Sequence, residues 1–527
     1  MTETSISHLI THLLEQTNAF ADGKDAAEAN IDEILATVPT VAVLNPWNNK
    51  RIYELPQLSV AQVVDSIDYA REYQPVWGAF AASSRAAFAL ALHDALVKHE
   101  KQLLDLLQLE TGKSRQHAFE EFAGSVGSLR YYGKTASHTL RRQRTKSGVP
   151  ILTRSYVDYS AVGVVGVITP WNYPLALAIF DVIPALLAGN AVVQKVDNQT
   201  ALTGLFTRAL AIEAGLPEDA WTIVAGDGAD IGNAITDNVD YVAFTGSTAT
   251  GRIVAARAAA RLIGCSLELG GKNPMIILPG ADVHRAAEIA LAAAMGNTGQ
   301  LCVSIERVYV PNSSIDAFLK VVAKAANART VGRTNDFGVD IGTLTGTAQL
   351  QRVTSMVDDA ISKGARLVAG GQPLPEVGPN AYAPTVLTDI PADAKLDRGE
   401  VFGPVLQVYA YESVQEAIDL ANDTDYGLNA SVVGPESEAI AVGLKLRAGS
   451  VNINEGYRAS FASMASPMGG MKSSGQGRRN GPGGLLRFTE ARTVATAGGP
   501  IKLPTRAKAY NRMAPLLRIL NAVLRRF

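Results

Sequence analysis

Three short stretches of the chain set chemistry-bearing side chains among small residues. GNTGQLCVSIERV holds Cys302, one of only two cysteines in 527 residues, in a turn that leads into an apolar run. Small neighbours leave room for a carbonyl carbon to reach a thiol, as nucleophilic catalysis requires; a buried packing cysteine is the plainer alternative. LELGGKNP ends an apolar segment on Glu268, ahead of Gly270 and Gly271. Desolvation there raises a carboxyl pKa and suits a general base poised near neutral pH, with a solvated strand end as the alternative. TPWNYP places Asn172 after an apolar run and before the helix start at Pro174, where its amide could donate to a developing oxyanion or simply act as an N-cap.

A fourth stretch, FTGSTATG, ends an apolar run on Phe244 and Thr245 and opens a helix through Gly246, Ser247 and Gly251. Small residues at such a junction let a pyrophosphate approach exposed N–H groups; an ordinary strand-to-helix turn has the same pattern. Other motifs fail on inspection. ETGKS lacks the upstream glycine of a phosphate-binding loop, because that position is Leu107, and reads as a helix end. His8 and His12 are one helical turn apart with no third ligand nearby, so no metal is predicted. No histidine sits in a motif that would make Cys302 a hydrolase nucleophile.

These residues need a scaffold. From residue 162 the apolar runs VGVVGVIT, NAVVQKV, WTIVAG, VDYVAFTGS and SLELGG alternate with segments of helical spacing, which predicts βαβ units and a parallel sheet covered on both faces. A second alternating block begins at NPMIIL and runs to about residue 450, with a boundary near residue 271. Residues up to about 145 read as helical, and PILTRSYVDYSAV as a half-exposed strand suited to an interface. The fold class is therefore α/β in two or three domains.

Composition excludes several functions. Lys and Arg total 48 against 50 Asp and Glu, which gives no reason to invoke nucleic acid. Two distant cysteines, Cys265 and Cys302, make no disulfide framework, and the N-terminal stretch lacks signal-peptide character, so a cytoplasmic location is expected. The tail differs. After Glu490 no acidic residue occurs, while Arg506, Lys508, Arg512, Arg518, Arg525 and Arg526 accumulate around Leu516, Ile519, Leu520, Val523 and Phe527 at helical spacing. This basic amphipathic helix suits weak contact with a membrane surface or, more plainly, docking on a neighbouring subunit.

Taken in order across some 230 residues, Asn172, Lys195, FTGS, LELGG, GQLC and EVFGP resemble the aldehyde dehydrogenase superfamily. The similarity runs from about residue 40 to 500. SPMGGMKSSGQGRRNGPGGLLRFTE and ANDTDYGLNASV are most similar to the actinobacterial branch of NADP-dependent succinate-semialdehyde dehydrogenases.

The resemblance implies a Rossmann-like cofactor domain (161–270, with an N-terminal helical part at 1–145), an oligomerisation arm (146–160), an α/β catalytic domain (271–480), an oligomerisation strand (481–500) and the basic tail (501–527). It makes Cys302 the nucleophile that forms a thiohemiacetal, passes hydride to nicotinamide and leaves a thioester. Asn172 and the Cys302 N–H hold the oxyanion, and Glu268 activates the hydrolytic water. Trp171, Asn172, Lys195, Gly246 and Ser247 surround the dinucleotide, Leu269 lies near the nicotinamide amide, Glu400 on the nicotinamide ribose, and Phe402 braces that ring. In the run Lys195-Val196-Asp197-Asn198, a neutral amide stands where NAD-preferring members carry a glutamate, which favours NADP, while Asp197 keeps NAD open.

Phe180 and Gly296 occupy positions where succinate-semialdehyde enzymes place carboxylate-binding arginines; Arg458 is the candidate replacement, and Phe180, Leu301 and Phe461 suit an apolar tunnel. The implied reaction is oxidation of an aldehyde, succinate semialdehyde first and a medium-chain or aromatic aldehyde second, by a homo-oligomer, dimer or tetramer. A non-catalytic dinucleotide-binding or structural relative is the reading from another class.

Overall fold

The computed structural model describes residues 38–146, 153–497 and 504–525; His8, His12, Arg526 and Phe527 lie outside them. The described part of the stretch read as helical up to residue 145 begins instead with an antiparallel hairpin, β1 (Thr40–Leu44) and β2 (Arg51–Pro56). Its alternation is short and the turn Asn45–Asn49 closes it, a signal hidden by the stronger helical periodicity that follows. Four helices then run from Val60 to Thr139. Strands β3 (Gln143–Thr145) and β4 (Arg154–Ala161) come next.

The strands β5 (Val164–Ile168), β6 (Ala191–Lys195), β7 (Trp221–Val224), β8 (Tyr241–Thr245) and β9 (Gly264–Glu268) form a parallel sheet in the order β9-β8-β5-β6-β7. Both faces are covered, as near-continuous apolar strands require. Val165 and Val167 pack on the side of the helix Pro174–Leu187, whereas Val164 and Ile168 pack with Val63, Ile67, Ile231 and Ile235 on the other. The order reverses between β5 and β8, and ligands of such sheets bind at the carboxyl ends there, where the chain reads TPWN and TGS.

Between Glu268 and Asn273 the chain passes into a second sheet built from β10 (Asn273–Ile277), β11 (Ile305–Pro311), β12 (Arg366–Ala369), β13 (Thr385–Thr388), β14 (Val405–Tyr411), β15 (Asn429–Val433) and β16 (Ser450–Ile453). Its order is β12-β13-β14-β11-β10-β15-β16, parallel except for β12. The chain then returns. Strand β17 (Gly475–Gln476) adds antiparallel to β9, so residues 475–476 belong to the first sheet rather than the second. The stretch from residue 481 begins with the helix Gly481–Leu486, and only β18 (Thr489–Thr496) is strand. β18 pairs with β4 along eight residues, giving the exposed three-stranded sheet β18-β4-β3. A final helix, Ala507–Leu524, buries none of its residues.

Candidate active site

Cys302 is half-buried between the turn Gly296–Gly299 and β11. That turn is strained: Asn297, Thr298 and Gly299 all take positive φ, at 50°, 58° and 72°. A left-handed conformation costs a non-glycine residue roughly 1–2 kcal/mol, so neighbours must impose it. The Asn297 amide donates to the backbone carbonyls of Asn172 (2.9 Å) and Gln300 (3.2 Å), and the Gln300 side chain bridges to Asn297 and Thr345. At Gly299 a side chain would run into the Gly403 carbonyl. Beyond the turn, Asn273 donates to the carbonyls of Cys302 (2.8 Å) and Ser304 (2.7 Å), and Asn429 to that of Val303 (2.8 Å). A ring of asparagine amides thus fixes the backbone on both sides of the sulfur.

Burial, then the charges of Glu268 and Glu400, push the Cys302 thiol up to about 12. That favours the protonated thiol at neutral pH, and a base would have to take its proton for the sulfur to act as a nucleophile. Glu268 ends β9 with 4% exposure, between β8 and β17. Its Oε1 has no hydrogen-bond partner among the described residues, and the missing side chain of Gly469, 2.9 Å from where a Cβ would stand, leaves it space. Burial raises its pKa to about 7, with Asp181 adding and Arg479 and Arg487 partly offsetting. A carboxyl at that value accepts and returns a proton near neutral pH.

Asn172 is buried after β5, and its Nδ2 donates to the Gln300 carbonyl at 2.9 Å, two residues before Cys302. One of its two amide hydrogens remains available. Its backbone carbonyl accepts from Asn297 and from Lys113 Nζ at 2.8 Å. Lys113, which the sequence reads only as part of a helix end, is completely buried; it pairs with Glu121 and sits 4.1 Å over the Tyr173 ring. Glu121 in turn accepts from the N–H groups of Leu175 (2.8 Å) and Ala176 (3.2 Å), at the start of the helix Pro174–Leu187. A buried ion pair therefore anchors the loop that carries Asn172.

A second buried cluster stands beside Glu268. Asp181, inside an otherwise apolar helix, accepts from Arg479 through both oxygens and from Arg487; Arg479 also donates to Thr245. Lys113, Glu121, Asp181, Arg479 and Arg487 were missed from sequence. The one available signal was an acid within ALAIFDVIPALL, which cannot be buried alone.

The dinucleotide candidates lie at the carboxyl ends of β5, β6, β8 and β9 and in the EVFGP turn ahead of β14. Trp171 meets Phe402 edge-on at 5.6 Å. Glu400 accepts from the Gly271 N–H at 2.8 Å, and burial, then the charge of Glu306, pushes it up to about 7. Glu306, itself paired with Lys272 at 2.6 Å, receives the N–H groups of Val401 and Phe402 and fixes the EVFGP turn, where Phe402 takes φ 58°. Ser247 caps the helix Thr248–Ala260, the Gly246 N–H bonds the Glu268 carbonyl, and the absent side chain of Gly251 accommodates Leu269.

Lys195 is buried, and its ammonium reaches only the Val196 carbonyl, at 3.2 Å, with no carboxylate in ion-pair range among the described residues. Such a cation suits an anionic ligand, and the set fits a dinucleotide. Asp197 caps Gln199. Asn198 is engaged at both ends, donating to Gln57 (3.0 Å) and accepting from the Gly226 N–H (3.3 Å).

The substrate side is aromatic. Phe461 lies 5.7 Å from Phe180 and 6.3 Å from Tyr173, and Leu301, Phe180 and Cys302 belong to one apolar cluster. Gly296 packs under Tyr457. Arg458, expected to be available to a substrate carboxylate, is instead committed to Glu120: Nε donates at 3.0 Å and Nη2 lies 2.9 Å away, while Tyr457 takes the other oxygen at 2.9 Å. Helix Arg115–Thr139 supplies that partner from far away in sequence, which is why a local reading left the arginine free.

The aldehyde dehydrogenase family model matches residues 35–494, and the chain belongs to that family of enzymes. It is 45% identical over 452 residues to a Mycolicibacterium smegmatis protein named "Putative succinate-semialdehyde dehydrogenase", with NADP(+) given as its cofactor, covering 86% of this chain and 87% of that one. It is 34% identical over 453 residues to the NADP(+) succinate-semialdehyde dehydrogenase of Escherichia coli, covering 85% and 93%. Among solved structures, the Staphylococcus aureus betaine aldehyde dehydrogenase with NAD+ superposes with a TM-score of 0.83 at 31% identity, over 89% of this chain and 94% of that one.

Proposed function

We propose that this enzyme converts an aldehyde into a carboxylate by covalent catalysis at Cys302, with NADP as the preferred cofactor and NAD as the alternative. The observation that carries the reading is the pairing of a protonated, desolvated thiol with a carboxyl raised into the neutral range. Glu268 takes the thiol proton as sulfur bonds the carbonyl carbon. The free hydrogen of the Asn172 amide and the Cys302 N–H hold the resulting oxyanion, and removing one such donor typically costs ~3–4 kcal/mol. Lys195, Ser247 and Glu400 would hold the nicotinamide dinucleotide, which would supply the hydride acceptor when bound. Glu268 returns the thiol proton to solvent, then takes a proton from water as that water attacks the thioester, and passes it to the departing sulfur, so the Cys302 thiol is restored as the carboxylate leaves. Cys302→Ala is expected to abolish turnover while NADP binding, followed by fluorescence titration, persists; turnover at the wild-type rate would overturn the assignment.

Succinate semialdehyde is the first substrate to test, because relatives carry that name. The Glu120–Arg458 pair favours a second reading, an apolar or aromatic aldehyde, since it cancels the cation that a substrate carboxylate would need. A panel of succinate semialdehyde, hexanal and benzaldehyde separates them. If the second reading holds, kcat/KM is at least tenfold higher for benzaldehyde or hexanal, and Glu120→Gln lowers KM for succinate semialdehyde by releasing Arg458. The opposite preference in the wild type, with KM unmoved by Glu120→Gln, removes it.

Assembly into a dimer or tetramer is supported by the exposed sheet β18-β4-β3, whose edge strand β18 offers unpaired backbone groups to a second copy. Division of the chain near residue 271 into a cofactor and a catalytic domain follows the passage between the two sheets. No helix among the described residues is long and apolar enough to cross a membrane, and two free thiols suit a reducing compartment such as the cytoplasm.

A further inference from the structure

We propose that the helix Ala507–Leu524 is a docking surface for an anionic lipid bilayer. The helix lies beyond residue 494, where the family match ends, so the conserved enzyme body does not account for it. Among the described residues it packs on nothing closely enough to bury one of its own: Leu516, Ile519 and Val523 are 53%, 62% and 49% exposed. At 100° per residue these three form one stripe with Met513 and Leu520, with Lys508 at its edge and Arg512 within that edge beside Ile519, while Arg518 and Arg525 point to the opposite side.

Charge selects the occupant. Residues 491–527 contain eight lysines and arginines and no acid, leaving 40 basic against all 50 acidic residues for the rest of the chain. The tail is thus strongly cationic on an acidic body. A tail designed to close on that body would bury its apolar stripe there, and this one does not. An apolar stripe bordered by cations is what a helix lying in the headgroup plane requires: the stripe enters the acyl boundary, and the long basic side chains reach anionic headgroups. Arg518 at mid-helix rules out spanning and suits an in-plane orientation.

The test is vesicle flotation of the full chain on phosphatidylcholine vesicles with and without 30% phosphatidylglycerol, at low and high salt. We expect binding to phosphatidylglycerol vesicles at least tenfold above neutral ones and falling in high salt. It should be lost both in a chain ended at residue 497 and in Leu516→Asp/Ile519→Asp, with aldehyde turnover unchanged in each. Absence of binding by the full chain, or equal binding by the shortened chain, overturns the proposal. So does a fall in oligomeric mass by light scattering on adding Leu516→Asp/Ile519→Asp, because the face would then be covered by a second copy.

Discussion

Asp181 and Glu268 are both almost completely buried, and both feel Arg479 and Arg487, yet their pKa values move in opposite directions. Burial alone would raise either carboxyl. For Asp181 the charges of Arg479 and Arg487 and their direct hydrogen bonds overcome that cost, and the group stays below the ordinary carboxylate range. Glu268 receives the same cations only as a field, accepts no hydrogen bond at Oε1, and rises to about 7. Contact, more than proximity, decides whether a buried acid stays ionised within the frame or titrates near neutral pH. The arginines hold the chain returning through β17 against the first sheet and leave the carboxyl next to them free to titrate.

The largest effect is expected from breaking the paired member. Asp181→Asn strands two buried guanidinium groups, a change that costs ~3–5 kcal/mol, and should lower the urea midpoint sharply at every pH from 6 to 9. A shift no greater than that of a surface substitution would show the cluster to be dispensable.

Glu268→Gln sharpens the comparison in the other direction. Because the folded state favours the protonated acid, its stabilising contribution is complete below 4.5 and is lost as pH rises through about 7. Glutamine resembles the protonated form at all pH values. The variant should therefore be more stable than the wild type by roughly 3 kcal/mol at pH 8, narrowing to about 1 kcal/mol at pH 5, while turnover falls ~10²–10⁴-fold. Equal stability of the two proteins at pH 8 would place Glu268 among the paired acids.

The same contrast explains what the sequence made legible. The βαβ alternation, the strand ends and the residues Cys302, Glu268 and Asn172 were readable because each is announced by local pattern: apolar runs, small neighbours, a proline at a helix start. What was not readable comes from distant segments. Arg479 meets Asp181 across 298 positions, Arg458 meets Glu120 across 338, and Lys113 reaches the Asn172 carbonyl across 59. The hairpin β1–β2 was missed for a different reason: two short strands beside four long helices carry too little periodicity of their own.

The central claim is that Cys302 stays protonated until Glu268 accepts its proton. Iodoacetamide alkylation of the Cys265→Ala chain, which leaves Cys302 as the only thiol, measures this without cofactor or substrate. The rate should rise through an inflection near pH 7 in that chain, and should drop at least a hundredfold and lose the inflection when Glu268→Gln is added. Identical pH–rate profiles with and without Glu268 would contradict the account.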